Sequence, residues 1–466
     1  MTRIFILALI APLSVACNGS DPASPPLPLP PSVVAVASVT LSGAPAELEV
    51  GRTATIQATA RDAEGNALAG RTIAWTSGSN AIATVSTSGA VVGTGSGAVS
   101  ITATSEGKSA WASITIDTRA GFLTAIVESV RQSYDLPALS GAIVTRGGGI
   151  FGSAVSGRRR ASAAAPVTIN DMWHIGSNFK AITAHVAGIA VAQGAISWST
   201  TLAQAYPELS GTMRAEYRDV TLRQLLGHIG GIIPNVPNPS SVAGSGSLTT
   251  QRAAIAPWAT AMMPTGGGVG QYTYSNVSFM IAANMVERAL SSPWETVMEV
   301  RLLSPLGITA FGWGPAPAAQ NPVGHQRNGS AWVEFLTLDN PPYLSAAGRS
   351  HWSLDAWAKV VQEIMRADQG QSTLVPQAIA RINTTSQSNA NYASGWLTSS
   401  AAWAMGRGVE HDGSNTLNYA RIQVALDRGV SVMGVTNSHE TGGSRSTSAM
   451  AQLMTRLWAY YNRHGQ

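Results

Sequence analysis

Gly176-Ser177-Asn178-Phe179-Lys180 opens a run in which Ile182, Val186 and Ile189 recur at helical spacing to about Gln193. Ser177 and Lys180 are three residues apart, so one helix face carries both and the lysine amine can reach the serine hydroxyl. A serine hydroxyl is a poor nucleophile without an adjacent proton acceptor. Only three of the 29 Lys and Arg residues are lysines: Lys108, Lys180 and Lys359. A sequence that otherwise writes its positive charge as arginine has placed here the one basic side chain that can give up its proton when buried.

Ser105-Glu106-Gly107-Lys108 repeats the spacing. It lies between two alternating runs, residues 99–104 and 109–116, with Gly107 supplying a turn, so it reads as a hairpin tip with no helical face. Ser105 is expected to be structural.

At 466 residues the chain is long enough for two or three domains. Charged residues make up 12% and the net charge is +4, a weak field with scattered arginines that gives no footprint for nucleic acid. Met1 to Cys17 carries Arg3, an apolar run over residues 4–13 and small residues before the chain's single cysteine, which reads as an export signal too short to span a membrane. Leu13-Ser14-Val15-Ala16-Cys17 resembles a bacterial lipobox, with Ser14 where Leu is usual, and implies lipidation at Cys17 and a place in the cell envelope. With one cysteine no internal disulfide can form. Residues 18–32, with six prolines, read as an extended tether.

Residues 33–118 alternate with period two, as in Thr53 to Ala60, Thr72 to Trp75 and Val99 to Ala103, with turns at Glu64-Gly65-Asn66, Ser88-Gly89 and Glu106-Gly107. Short, regularly spaced strands argue for a β-sandwich. The run from Leu48 to Gly107 resembles the bacterial immunoglobulin-like domain, group 2, and the resemblance implies Trp75 as the core tryptophan and a spacer or wall-binding role.

Residues 119–466 read as a helix (Phe122 to Tyr134), a hairpin about Arg146-Gly147-Gly148-Gly149, a helical middle from about Met172 to Leu306, a second hairpin about Asp427-Arg428-Gly429 and a closing helix from about Arg445 to Tyr461. Strands at both ends of a helical insertion imply one antiparallel sheet backed by helices, with a helical subdomain beside it. The Pro-, Gly- and Ser-rich stretch from Ile233 to Thr250 is long enough for a lid.

Two further signatures follow Ser177 in order: Tyr274-Ser275-Asn276 before a helical run, and His411-Asp412-Gly413-Ser414 near the second hairpin. Together with VTLRQLLGHIGGI (220–232), LLSPLGI (302–308) and SGWL (394–397), this set resembles the class C β-lactamase-like serine hydrolases, a group of β-lactamases, low-molecular-weight D,D-peptidases, D-aminopeptidases and esterases. The expected architecture is therefore multidomain: an all-β immunoglobulin-like sandwich, then a β-lactamase-like α/β fold. The resemblance implies that Ser177 is acylated and that Lys180 or Tyr274 takes its proton. It implies that Asn276 holds Lys180 and a substrate carbonyl, and that the N–H groups of Ser177 and Ser414 form an oxyanion hole. Gly413 would leave room for substrate along the strand edge, and His411 stands where class C β-lactamases carry lysine, as a weaker anchor for a carboxylate. No metal or cofactor is expected. The substrate is a small molecule or peptide, open between ester, D-amino-acid peptide and β-lactam. His228 is expected to orient a helix end, and Trp396 either lines the pocket or packs. The rival reading is a non-catalytic envelope-binding protein with a relic hydrolase fold, which would have no reason to keep Ser177, Lys180, Tyr274 and Asn276. Gly-x-Ser-x-Gly, His-Glu-x-x-His and Gly-x-x-x-x-Gly-Lys are all missing from the sequence.

Overall fold

The computed structural model describes residues 34–388, 391–440 and 442–465. The export signal, Cys17 and the tether lie outside the described residues. The described residues divide into two compact units, one comprising those up to Ala46, Thr53–Val92 and Ala98–Ile114, the other Glu47–Arg52, Gly93–Gly97 and those from Thr115 onward.

The first unit is built of antiparallel strand pairs: Ser38–Ser42 with Gln57–Arg61, Thr53–Thr55 with Ala90–Gly93, and Ala74–Ser77 with Gly97–Ser105. Val36, Val39, Ala60 and Ala103 form one small buried cluster in it. Trp75, expected as the core tryptophan, is only half-buried and packs on the margin of that cluster. Glu106 (φ 45°) and Gly107 (φ 76°) form the two-residue turn between strands, the left-handed pair a tight hairpin requires. Ser105 is buried and Lys108 exposed, so the second Ser-x-x-Lys pair does not meet.

In the second unit, helix α1 (Arg119–Ser133) leads into strands β1 (Ala138–Thr145) and β2 (Gly149–Gly157). Helices α2 (Phe179–Ala192), α3 (Asn276–Leu290) and α4 (Leu354–Asp368) follow. The chain then returns as β3 (Leu397–Ser399), β4 (Gly408–Ser414), β5 (Tyr419–Ala425) and β6 (Val430–Thr436), and ends in α5 (Arg445–His464). The six strands form one antiparallel sheet in the order β2-β1-β6-β5-β4-β3.

Strand alternation sends side chains into two cores. Leu139 and Ile143 of β1 face α1 and α5, where Phe122, Leu123, Val127, Leu453 and Leu457 are buried. Ala138, Ala142 and Val144 of the same strand face the opposite core, with Ile422 and Val424 of β5 and most of α2 and α3. Helix α2 is buried on all sides from Phe179 to Ala190, the pattern of a helix enclosed by other elements. The stretch after Ile233 is pinned at both ends. Pro234 O accepts from Asn276 N at 2.9 Å, and the buried Arg252 guanidinium binds Glu287 and Glu295 and donates to Ser345 Oγ at 2.7 Å.

Leu453 is fully buried against Gly141 and Gly434, the latter so close that an added Cβ would lie 2.6 Å from its Cδ2. Truncation there opens a cavity that a rigid sheet face cannot close. Leu453→Ala should lower stability by about 2–5 kcal/mol, read as a shift of the urea midpoint of this unit.

Candidate active site

Ser177 lies on a 3-10 turn, Gly176–Asn178, that precedes α2, rather than in the α-helix proper. The Lys180 amine still reaches it, with Nζ 3.0 Å from Ser177 Oγ. Nζ also donates to Ala347 O at 2.8 Å, a carbonyl of the short helix Ser345–Gly348. Lys180 is wholly buried, and Nζ lies 4.9 Å from the Tyr274 ring centroid and 5.7 Å from that of Phe279. Burial drives its amine well below the ordinary lysine range, and among the described residues no carboxylate pairs with it to oppose that. Half-buried Ser177 thus faces an amine whose charged form burial disfavours, at the positive end of a helix.

The turn is wedged between strands by close backbone approach. Asn178 Nδ2 donates to Ile175 O at 3.1 Å and to Ala420 O of β5 at 3.2 Å. Gly176 has φ 53°, and an added Cβ would lie 2.3 Å from Ser414 N; at Gly413 an added Cβ would lie 2.0 Å from Ile175 O. Gly413 therefore lacks a side chain to admit the Ser177 turn, not to clear a path for substrate as the sequence suggested. β3 pairs only with Gly408, Val409 and Glu410 of β4, so the Gly413-Ser414 end of that strand edge is left beside Ser177.

Tyr274 shares a hydrogen bond with Ser177. Burial pushes its phenol well up, the Ser177 bond opposing and Tyr272 adding to the shift. Burial disfavours the Lys180 ammonium that was invoked to stabilise a phenolate, so both shifts run against an ionised Tyr274. Asn276 also departs from expectation. As the first residue of α3 its side chain faces the earlier stretch after Ile233, and Nδ2 donates to Asn235 Oδ1 at 2.7 Å, while Lys180 finds its second partner in Ala347.

His411 is buried, and its two nitrogens are engaged within the protein. Nδ1 lies 2.6 Å from Asp412 O, so it carries the proton, and Nε2 accepts from the Tyr392 hydroxyl at 3.2 Å. Burial, with Lys180 adding to it, pushes its pKa down to about 3. An uncharged ring so engaged cannot anchor a carboxylate, which corrects the substrate-binding role read from the sequence.

The sequence reading left His228 outside the site, as a residue orienting a helix end, and passed over Tyr272 and Tyr392. His228 Nδ1 accepts from Ser275 N at 3.1 Å, and its ring centroid lies 4.4 Å from that of Tyr274 and 4.7 Å from that of Tyr392. Ser275 Oγ accepts from Ser278 N at 2.9 Å, so His228 steadies the cap of α3 and with it Tyr274. Tyr392 stands two residues before Ser394-Gly395-Trp396, and that proximity was the available signal. Trp396 is buried in the core and packs. Among the described residues, no group of three or more His, Cys, Asp or Glu is placed to hold a metal ion.

The family model described as Beta-lactamase matches residues 123–455. A Beta-lactamase from Pseudomonas fluorescens is 29% identical over 184 residues, 39% of this chain and 47% of that protein, so the chain spans less than half the length of this relative. The class C beta lactamase from Rhodobacter sphaeroides superposes with a TM-score of 0.57 at 18% identity, over 72% of this chain and 99% of that one. The D-amino acid amidase from Ochrobactrum anthropi SV3, complexed with L-phenylalanine amide, gives 0.59 at 14% identity, over 74% and 98%. At such identities the likeness to solved structures is one of fold.

The state of His411 has a measurable consequence. Its folded pKa of about 3 lies below the ordinary ~6.5 of an unfolded histidine. Between those values the unfolded chain binds a proton that the folded chain refuses, so stability is full above the upper value and declines as pH falls through the window. The slope for this group is up to about 1.4 kcal/mol per pH unit. Urea midpoints should drop from pH 7 to pH 4, and His411→Gln should flatten that dependence. An unchanged slope in the variant would show that His411 is not held neutral.

Proposed function

The chain belongs to the β-lactamase family, and from that membership we propose that it is a serine hydrolase acting through a covalent acyl-Ser177, with Lys180 as the proton acceptor. The observation that carries this reading is a wholly buried amine, without a carboxylate partner among the described residues, 3.0 Å from the Ser177 hydroxyl. Neutral Lys180 removes the Ser177 proton as Oγ bonds to the substrate carbonyl carbon. The tetrahedral oxyanion is received by the N–H groups of Ser177 and Ser414, in a seam dry enough for each donor to count. As the carbon–heteroatom bond breaks, protonated Tyr274 gives its proton to the leaving group and regains one from the Lys180 ammonium. Water then attacks the acyl-ester by the same route, and a carboxylic acid leaves. The overall change is one water added across one amide or ester bond.

The substrate class follows from the walls of the site. Tyr272, Tyr274 and Tyr392 with neutral His228 and His411 form an aromatic, uncharged surround. Such walls favour a substrate without a carboxylate beside the scissile bond. An ester or simple amide fits better than a D,D-peptide or β-lactam, whose carboxylate would go unpaired. The first unit, through its resemblance to the group 2 immunoglobulin-like domain, serves as a spacer. Export and lipidation at Cys17 hold the enzyme at the cell envelope, and Cys17→Ser should release it from the membrane fraction.

A fluorophosphonate should label the wild type and not Ser177→Ala, while Ser105→Ala labels normally. Lys180→Arg keeps the charge but stays protonated at any usable pH. It should lower kcat on a p-nitrophenyl ester by at least roughly 100-fold with little change in the melt. Turnover should be higher for the p-nitrophenyl ester than for nitrocefin or a D-alanyl-D-alanine peptide. A Lys180→Arg enzyme with kcat within a fewfold of wild type would remove the lysine from proton transfer.

A further inference from the structure

Next to the Ser177 turn lies a buried charged group that the chemistry above does not use. Asp339, its side chain 2% exposed, sits on neither the sheet nor a main helix, yet two separate stretches of chain converge on its Oδ1. From one side His174 Nε2 approaches to 3.0 Å. From the other, Asn415 Nδ2 donates at 2.9 Å. Its Oδ2 is 3.8 Å from Arg349 Nε.

What each partner does next is informative. His174 Nδ1 accepts from Gly176 N at 3.1 Å. That bond needs a bare Nδ1, so the proton must sit on Nε2, the nitrogen facing Asp339; the carboxylate fixes the tautomer that the Gly176 N–H requires. Gly176 is thereby held at φ 53° immediately before Ser177. On the other side, Asn415 directly follows Ser414, and its Oδ1 accepts from Asn418 N at 2.9 Å and Leu417 N at 3.3 Å, closing the turn that ends β4. Between the two arms, Gly176 and Ser414 are in backbone contact. One carboxylate thus ties down the residue before Ser177 and the residue after Ser414.

We infer that Asp339, acting through His174 and Asn415, is a positioning residue that sets the separation of the Ser177 and Ser414 N–H groups. The inference rests on the reading of Ser177 as the acylated residue. A buried carboxylate is costly for a role that packing alone could fill. Asp339 nevertheless stays ionised. Burial alone would raise its pKa, and the bonds from His174, Asn415 and the Asn340 N–H together outweigh it and lower it. An acceptor that is fixed, charged and shared between two chain segments has the form of a spacer for two donors that must aim at one oxygen. Donors displaced by a fraction of an ångström would still bind a planar ester but would lose the tetrahedral oxyanion.

The role separates binding from turnover, so it is tested by that split. In Asp339→Ala, kcat on the p-nitrophenyl ester should fall by roughly 100-fold with KM within about twofold of wild type. Affinity for an arylboronic acid, which mimics the tetrahedral adduct, should fall by a similar factor. Asp339→Asn keeps an Oδ1 that can accept from both arms and should recover most of the rate. Should Asp339→Ala not fold, His174→Phe, which has no acceptor for the Gly176 N–H, must show the same loss confined to kcat and boronate affinity. Folded variants with kcat within about threefold of wild type, or losses carried by KM with boronate affinity intact, overturn the positioning role. Phosphonate labelling of the wild type guards the premise. A wild type that takes no label at Ser177 overturns the nucleophile assignment and this role with it, whereas a labelled wild type with variants reacting at the same rate overturns this role alone.

Discussion

An amine enclosed without a counter-charge is the constraint on which the rest of the site depends. Lys180 lies on a helix that is buried on every side, and among the described residues its Nζ meets Ser177 Oγ, Ala347 O and aromatic faces. An ammonium there would lose its hydration with no carboxylate among the described residues to replace it, so the surroundings rather than a specific partner push its pKa well below the ordinary lysine range. Arginine could not make that adjustment. The same enclosure raises the Tyr274 phenol and lowers His411. One physical condition, dryness, therefore shifts all three groups toward their uncharged forms.

Dryness requires close approach, and glycines supply it. Gly176 and Gly413 put the Ser177 turn in backbone contact with β4, and Gly348 and Gly395 do the same from other directions. An added Cβ at Gly348 would lie 3.0 Å from Gly176 C, and one at Gly395 would lie 2.6 Å from Ala181 N. Only a turn clasped in this way can hold Ser177 still while leaving its hydroxyl half-exposed. Main-chain atoms make the fit because they vary little from one rotamer to another, which suits a site whose donors are themselves backbone N–H groups.

How much of this the sequence discloses depends on the range of the interaction. Period-two runs and glycine turns placed the hairpins about Arg146 to Gly149 and Asp427 to Gly429, because strand alternation and left-handed turns are local properties. Ser177 and Lys180 were legible for the same reason, being three residues apart. His411 was misread because its character comes from Tyr392 and from burial, both set by folding. The Asn276 amide was assigned to Lys180, but the first turn of α3 directs it to Asn235, across a loop the sequence could not orient. Asp339 gave no local signal at all. It lies 165 residues from His174 and 76 from Asn415, and nothing in Leu338-Asp339-Asn340 distinguishes it from a surface turn.

Charge economy at the site also bears on selectivity. With His228, His411 and Lys180 all shifted by burial toward their uncharged forms, the groups gathered about Ser177 are tyrosine and imidazole rings rather than ions. Ring faces recognise shape and apolar area, and aromatic contacts of this kind contribute only about 0.5–1.5 kcal/mol each beyond area burial. Ground-state affinity built on such contacts is modest and almost insensitive to salt, since no charge pair is there to be screened. In the proposed reading, discrimination comes from the tetrahedral state, where two N–H donors would act on developing charge in a low-dielectric seam. Such a site would demand of each acyl group that its carbonyl oxygen fit between two fixed backbone donors.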